Sequence, residues 1–81
     1  MKTLPQFVKE KRRDSNLTQI QFAERSGVAL TVIRKIEQGK DNVNLAKVNQ
    51  VLKMFGHTLA PVKINELMNS NQSNEISRGV L

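Results

Sequence analysis

The most constraining feature of the sequence is the stretch 19–38, which reads QIQFAERSGVALTVIRKIEQ. Gly27 lies near its middle, and glycine readily adopts the positive φ angle that a sharp turn needs. Ala23 is small enough to let two helices approach closely, while Ile33 and Ile36 recur at helical spacing after the turn. This pattern predicts two short helices that are joined at Gly27 and cross at a steep angle.

Signals for further helices flank this stretch. Thr18 is followed three residues later by Gln21, a pair that can exchange hydrogen bonds across the first turn of a helix. Thr3 precedes the apolar face of a first helix, and Asn44 is expected to cap a fourth helix that runs to Phe55. The apolar face of the fourth helix is expected to consist of Leu45, Val48, Val51, Leu52 and Phe55. Together these patterns predict an all-α fold with four helical segments.

The charge of the chain is unevenly distributed. The sequence has 13 Lys and Arg against 7 Asp and Glu, a formal net charge of +6. Residues 1–40 carry 9 basic and 4 acidic side chains, whereas residues 64–81 carry 1 basic and 2 acidic side chains. The basic half is a candidate surface for a polyanion, because Lys and Arg that neutralise phosphates release condensed counterions. Ordinary solvated surface charge is the alternative.

Composition argues against several classes of function. The chain has no Cys and a single His, so disulfides, thiolate metal sites and imidazole clusters are excluded. His57 has no Ser-His-acid pattern around it, and no Gly-rich phosphate loop occurs. We therefore expect no catalytic residues, no metal and no cofactor. No apolar run approaches the length of a membrane span and no secretory signal is present, which predicts a soluble intracellular protein.

The composition changes after residue 63. Residues 57–64 form a short extended stretch that would be a stable strand only if it paired with another segment. From Asn65 onward the composition shifts to Asn, Ser and Gln. We divide the chain into a folded domain, residues 1–63, and a tail, residues 64–81. The apolar residues of the tail are Leu67, Met68, Ile76, Val80 and Leu81. They are either anchors that fold on contact with a partner or part of a disordered extension.

The stretch LTQIQFAERSGVALTVIRKIEQGK, residues 17–40, resembles the helix-turn-helix family of phage repressor and Cro proteins. The resemblance extends over residues 4–56 and implies a lambda-repressor-like bundle of four to five helices. In that family the third helix enters the major groove of DNA. The positions that the resemblance assigns to base reading are Leu30, Thr31, Arg34 and Lys35. Those it assigns to the DNA backbone are Thr18, Gln19, Gln38 and Lys40.

The resemblance also accounts for a charge on an otherwise apolar face. In related repressors a buried Arg of the first helix pairs with a Glu at the end of the third, and Arg12 and Glu37 occupy these places. Two independently solvated charges are the alternative. The chain departs from the family pattern at Ala29, where a capping Ser or Thr is common, and at Ile20, where a polar residue is usual.

A narrower resemblance concerns the stretch VNQVLKMFGHTLAPV, residues 48–62, which is similar to HipB-like antitoxins. It implies a homodimer on a palindromic operator, in which a short strand pairs with its copy in the second subunit. The strand residues would be Thr58, Leu59, Ala60 and Val62. It further implies a bacterial cytoplasmic regulator, located at its operator in the nucleoid, that represses its own operon and binds a HipA-type kinase toxin. A monomer with a surface-packed strand, a generic phage or plasmid repressor and a protein-interaction scaffold are the alternatives.

Overall fold

A computed structural model of the chain describes residues 2–65. Four α-helices lie wholly within this range: α1 (Leu4–Asp14), α2 (Gln19–Ser26), α3 (Leu30–Gln38) and α4 (Leu45–Lys53). Residues 2–65 contain no β-strand, so the prediction of an all-α helix-turn-helix bundle is confirmed. None of the helices in this part of the chain combines the length and the apolarity needed to cross a membrane.

Side-chain caps begin three of the four helices. The Thr18 hydroxyl accepts a hydrogen bond from the backbone N–H of Gln21 at 3.1 Å, and the Gln21 side chain accepts one from the Thr18 N–H at 2.9 Å. Thr3 forms the same reciprocal pair at the start of α1, and Asn44 caps α4 through the N–H of Lys47. These caps satisfy N–H groups that have no partner inside the helix, which is why each helix begins where it does.

The turn between α2 and α3 consists of three residues, 27–29. Gly27 has a φ angle of 73°, in the left-handed region that a side chain disfavours. The N–H of Gly27 and the N–H of Val28 both bond back to the Ala23 carbonyl and so close the end of α2. The predicted sharp turn at Gly27 is therefore confirmed.

The core lies where all four helices meet. Helix α3 packs against both α1 and α2, which places its apolar face at the centre of the molecule. The eight buried apolar residues are Val8, Phe22, Val28, Ile33, Ile36, Val48, Val51 and Leu52. Phe22 also stacks on Phe55, with ring centroids 5.8 Å apart. This contact joins α2 to the turn that follows α4.

Two details of the fourth helix differ from expectation. Leu45 was predicted to face the core, but it is 67% exposed at the first position of α4, and Val43, just before the cap residue, packs against the core instead. The helix also ends at Lys53 rather than Phe55, since residues 54–56 form a turn that closes at Gly56. Phe55 still packs against the core from this turn.

Residues 57–63 have no regular secondary structure in the single chain. They are attached to α4 by Asn49, whose side-chain oxygen accepts hydrogen bonds from the Leu59 N–H at 2.8 Å and the Thr58 hydroxyl at 3.1 Å. The predicted strand needs a second copy of the chain to pair with, so it stays a prediction.

Candidate DNA-binding surface

The outer face of α3 carries four side chains at helical spacing. Thr31, Arg34, Lys35 and Gln38 are all exposed, and their spacing of three and four residues places them on one side of the helix. Ile33 and Ile36 are buried on the other side. Burial of the apolar face against α1 and α2 thus determines which side chains α3 presents to solvent. Leu30, also predicted to read bases, is partly buried at the start of the helix.

The cationic groups of this face have no acidic partner among the described residues. The ion pairs within residues 2–65 are Lys2 with Glu10 and Arg12 with Glu37, so Arg34 and Lys35 remain available. A guanidinium group can donate two hydrogen bonds to one guanine edge, and an ammonium group can donate to the same acceptors. The outer face of α3 is therefore chemically suited to contact base edges.

The start of α2 lies beside the end of α3. The Gln19 side-chain amide donates a hydrogen bond to Glu37 Oε1 at 3.1 Å, across 18 residues of sequence. This bond places Gln19 beside Glu37, the residue before Gln38. Gln38 and Lys40 are both exposed. The assignment of Thr18, Gln19, Gln38 and Lys40 to contacts with the DNA backbone stays a prediction. Part of the hydrogen-bonding capacity of Gln19 is used inside the protein, a role that the sequence pattern did not reveal.

Arg12 and Glu37 form a two-pronged ion pair behind this surface. Arg12 Nε donates to Glu37 Oε2 at 2.7 Å, and Nη2 donates to Oε1 at 3.1 Å. The third donor, Nη1, bonds to the Leu17 carbonyl at 2.9 Å. The Arg12 and Glu37 side chains are only 12% and 2% exposed. This pair connects α1, the loop before α2 and the end of α3, so it holds the recognition helix in place.

The environment of Glu37 shifts its acidity. Burial acts to raise the pKa of the Glu37 carboxyl, but hydrogen bonds from Arg12 and Gln19 and the positive charges of Arg12 and Lys9 act in the opposite direction. The net result is a pKa below its ordinary value of 4.5. Glu37 is therefore ionised at neutral pH and bonded through both carboxylate oxygens.

This shift predicts acid sensitivity. A carboxyl whose pKa is lower in the folded than in the unfolded protein contributes stability that is complete above its unfolded pKa. That contribution is lost as the pH falls through the lower folded pKa. We expect urea denaturation between pH 6 and about pH 3 to show a smaller pH dependence in Glu37→Gln than in the wild type. Glu24→Gln, at an exposed position on α2, is the control. Equal pH dependence in Glu37→Gln and the wild type would contradict this expectation.

The recognition helix lacks a side-chain cap. Ala29 occupies the cap position with φ −59° and ψ 144°, and no side chain bonds to the first turn of α3. A hydroxyl at this position can accept such a bond, so Ala29→Ser is expected to raise the free energy of unfolding by about 1 kcal/mol in urea denaturation. Ala46→Ser, at an exposed position in the first turn of α4, which Asn44 already caps, is the matched control. The expectation is wrong if both variants have the same stability.

Three further positions that the sequence singled out lie on α2 or at its end. Ala23 and Gly27 lie at the junction of α2 and α3, and Ile20 is exposed on α2. His57 packs on Phe7, with ring centroids 4.7 Å apart. Within residues 2–65, no group of three His, Asp or Glu side chains lies close enough together to hold a metal ion. The predicted tail anchors lie outside the described residues: Leu67, Met68, Ile76, Val80 and Leu81.

Comparison with known proteins identifies the class to which this arrangement belongs. A family model described as helix-turn-helix matches residues 8–60, which include α2, the Gly27 turn and all of α3 and α4. The chain therefore belongs to the Cro/C1-type helix-turn-helix family, whose members are DNA-binding regulators and typically not enzymes. No curated protein and no solved structure matched the chain.

Proposed function

We propose that the protein is a transcriptional repressor that recognises a palindromic operator as a homodimer. The observation that carries this proposal is the exposed row of Thr31, Arg34 and Lys35 on the recognition helix, whose cationic groups have no acidic partner within residues 2–65. Arg34 and Lys35 would donate to guanine O6 and N7, and Thr31 could bond to either kind of base edge. Leu30 would contact a thymine methyl group.

Phosphate contacts would orient the recognition helix. Thr18 and Gln19 stand at the start of α2, Gln38 is the last residue of α3, and Lys40 follows that helix. The N-terminus of α2 presents backbone N–H groups that favour a negative charge. These contacts would supply affinity and register, while the side chains of α3 would supply sequence preference.

A homodimer is supported by the apolar surface that the last described residues present. Val62 is 55% exposed and Ile64 is 74% exposed, and the adjoining segment lines a groove of about 330 Å³. The apolar side chains of this groove are Leu4, Phe7, Leu52, Leu59, Ala60 and Val62. Thr58, Leu59, Ala60 and Val62 would form a strand with the same residues of a second copy, which would cover the groove and pair the open backbone edge.

Two-fold symmetry connects this dimer to the operator. Two recognition helices related by a two-fold axis would enter successive major grooves about 34 Å apart on a site with matching symmetry. The folded unit would comprise residues 1–63, with residues 64–81 as a separate tail.

A narrower proposal is that this repressor is the HipB-like antitoxin of a toxin–antitoxin operon. The likeness of residues 48–62 to such antitoxins supports it. The tail would then bind a HipA-type kinase, and the complex would repress its own operon from the bacterial nucleoid. The competing function is a protein-interaction scaffold with little affinity for DNA, or a generic repressor without a toxin partner.

Salt dependence of DNA binding tests the repressor proposal. With an operator selected from a random-sequence library, the logarithm of the association constant should fall linearly with the logarithm of salt concentration, by about 0.9 for each phosphate contact. Lys40→Gln should make this slope shallower by about 0.9, the value for one phosphate contact. Lys53→Gln, on α4, should leave the slope unchanged. Selection of no preferred sequence would favour the scaffold. A dimer in sedimentation experiments is expected with and without DNA.

Affinity purification from the native host tests the antitoxin proposal. Recovery of a HipA-type kinase, identified by mass spectrometry, would support it. Recovery of the repressor without a kinase would leave the generic repressor.

A further inference from the structure

The fourth helix carries two neighbouring amide side chains that bond to different parts of the molecule. Gln50 Nε2 donates to the carbonyl of Ser26, the last residue of α2, at 2.9 Å. Asn49 accepts hydrogen bonds from Thr58 and Leu59 in the segment after α4. Because adjacent residues on a helix point about 100° apart, α4 can hold both parts at once. Neither amide lies on the proposed DNA-binding surface.

The contact of Gln50 is made at the turn of the helix-turn-helix unit. The Ser26 carbonyl has no partner inside α2, because the last carbonyls of a helix lack a following turn. Ser26 is buried, so water has little access to its carbonyl and Gln50 supplies the hydrogen bond that this carbonyl needs. The Gln50 amide also lies close to the turn itself, since a Cβ added to Gly27 would approach Nε2 to 3.1 Å.

We infer that Gln50 is a positioning residue for operator binding: its bond to Ser26 sets the orientation of the α2–α3 unit relative to α4. This inference rests on the proposed dimer, in which residues 57–63, held on α4 by Asn49, form the subunit contact. The chain of contacts then runs from the dimer contact through Asn49 and Gln50 to the turn before the recognition helix. Gln50 therefore determines which spacing of operator half-sites the dimer accepts.

The geometry of DNA makes this spacing measurable. Adding one base pair between half-sites moves the second half-site by about 3.4 Å and rotates it by about 34°. A dimer whose recognition helices are held at one orientation tolerates such a change poorly. A dimer in which the α2–α3 unit can rotate against α4 tolerates it better, although each subunit still reads its half-site with the same side chains.

The experiment uses the full chain and operators whose half-site spacing is native, one base pair longer or one base pair shorter. The wild type is expected to prefer one spacing by about tenfold or more. Gln50→Met keeps the side-chain length but removes the donor, and it should reduce the preference to about threefold or less while changing affinity for an isolated half-site by less than about twofold. Ala46→Met adds the same side chain at an exposed position of α4 and should behave as the wild type.

A spacing preference that Gln50→Met retains would overturn the inference. An equal loss of affinity for all three operators would also overturn it, because that is the result expected of a purely structural residue. Residual dipolar couplings of the free protein give a readout that does not depend on DNA. In the wild type one alignment frame should fit all four helices, and in Gln50→Met the α2–α3 unit should need a different frame from α4. A single frame in Gln50→Met would contradict the inference.

The two proposals fail in different ways. If the wild type shows no spacing preference, the proposed dimeric operator complex is wrong. The dipolar couplings then test, without DNA, whether Gln50 orients the α2–α3 unit. A wild type with a clear preference that Gln50→Met shares would leave the proposed function intact and remove only the role of Gln50.

Discussion

Glu37→Ala is expected to lower the free energy of unfolding by about 3–5 kcal/mol, the largest effect on stability that we predict for a polar residue. The variant leaves Arg12, whose side chain is 12% exposed, without the carboxylate that now accepts two of its hydrogen bonds. It also frees the Gln19 amide, which bonds to the same carboxylate. An uncompensated buried charge, rather than the loss of one attraction, accounts for most of the cost.

Urea denaturation at neutral pH measures this effect, and two variants separate its causes. Glu10→Ala breaks the exposed ion pair with Lys2 and should cost less than about 1 kcal/mol, because water screens exposed pairs. The double variant Arg12→Met with Glu37→Leu removes both charges and should recover much of the stability that Glu37→Ala loses. A cost for Glu37→Ala no greater than that for Glu10→Ala would show that the pair does not hold the bundle together.

The second large effect concerns DNA. Arg34→Ala and Lys35→Ala are each expected to weaken operator binding by about 1–3 kcal/mol, or about 5- to 150-fold, if each side chain contacts a base. Both side chains are exposed and lie outside the core, so the variants should keep the stability of the wild type. They should also relax the sequence preference at the contacted base pairs, because the lost hydrogen bonds are those that distinguish bases.

Binding titrations against the selected operator and against single base-pair substitutions of it measure both effects. Lys53→Ala, which removes an exposed charge from α4, controls for the general loss of positive charge. An Arg34→Ala, Lys35→Ala double variant with operator affinity unchanged from that of Lys53→Ala would show that the outer face of α3 is not the reading surface. Urea denaturation of each variant verifies that it remains folded.

The start and turn signals of the helices were readable in the sequence because they are local. Thr18 with Gln21, Asn44 and Gly27 each act within a few residues, and the structure has all of them in the expected roles. The apolar spacing of α3 also predicted its buried face, since only one side of so short a helix can meet the core. Leu45 shows the limit of this reasoning, because periodicity did not reveal that Val43, before the helix begins, packs against the core while Leu45 is exposed.

Polar contacts between distant parts of the chain divide into two kinds. The Arg12–Glu37 pair could be anticipated through the family resemblance, since a charge on an apolar face calls for a partner. Gln19 with Glu37, Gln50 with Ser26 and Asn49 with Leu59 could not, because amides are common on helix surfaces and nothing in their spacing names a partner.

Helix identity, the glycine turn and the cationic face of α3 thus follow from the order of residues, as they depend on interactions within one or two helical turns. The folded chain adds the orientation of these elements. Residues 18 to 25 positions apart are brought within hydrogen-bonding distance around Glu37, and residues 24 positions apart meet at Ser26 and Gln50. Such contacts depend on how the helices pack around Phe22 and Ile33, a property of the whole core that no single stretch of sequence contains.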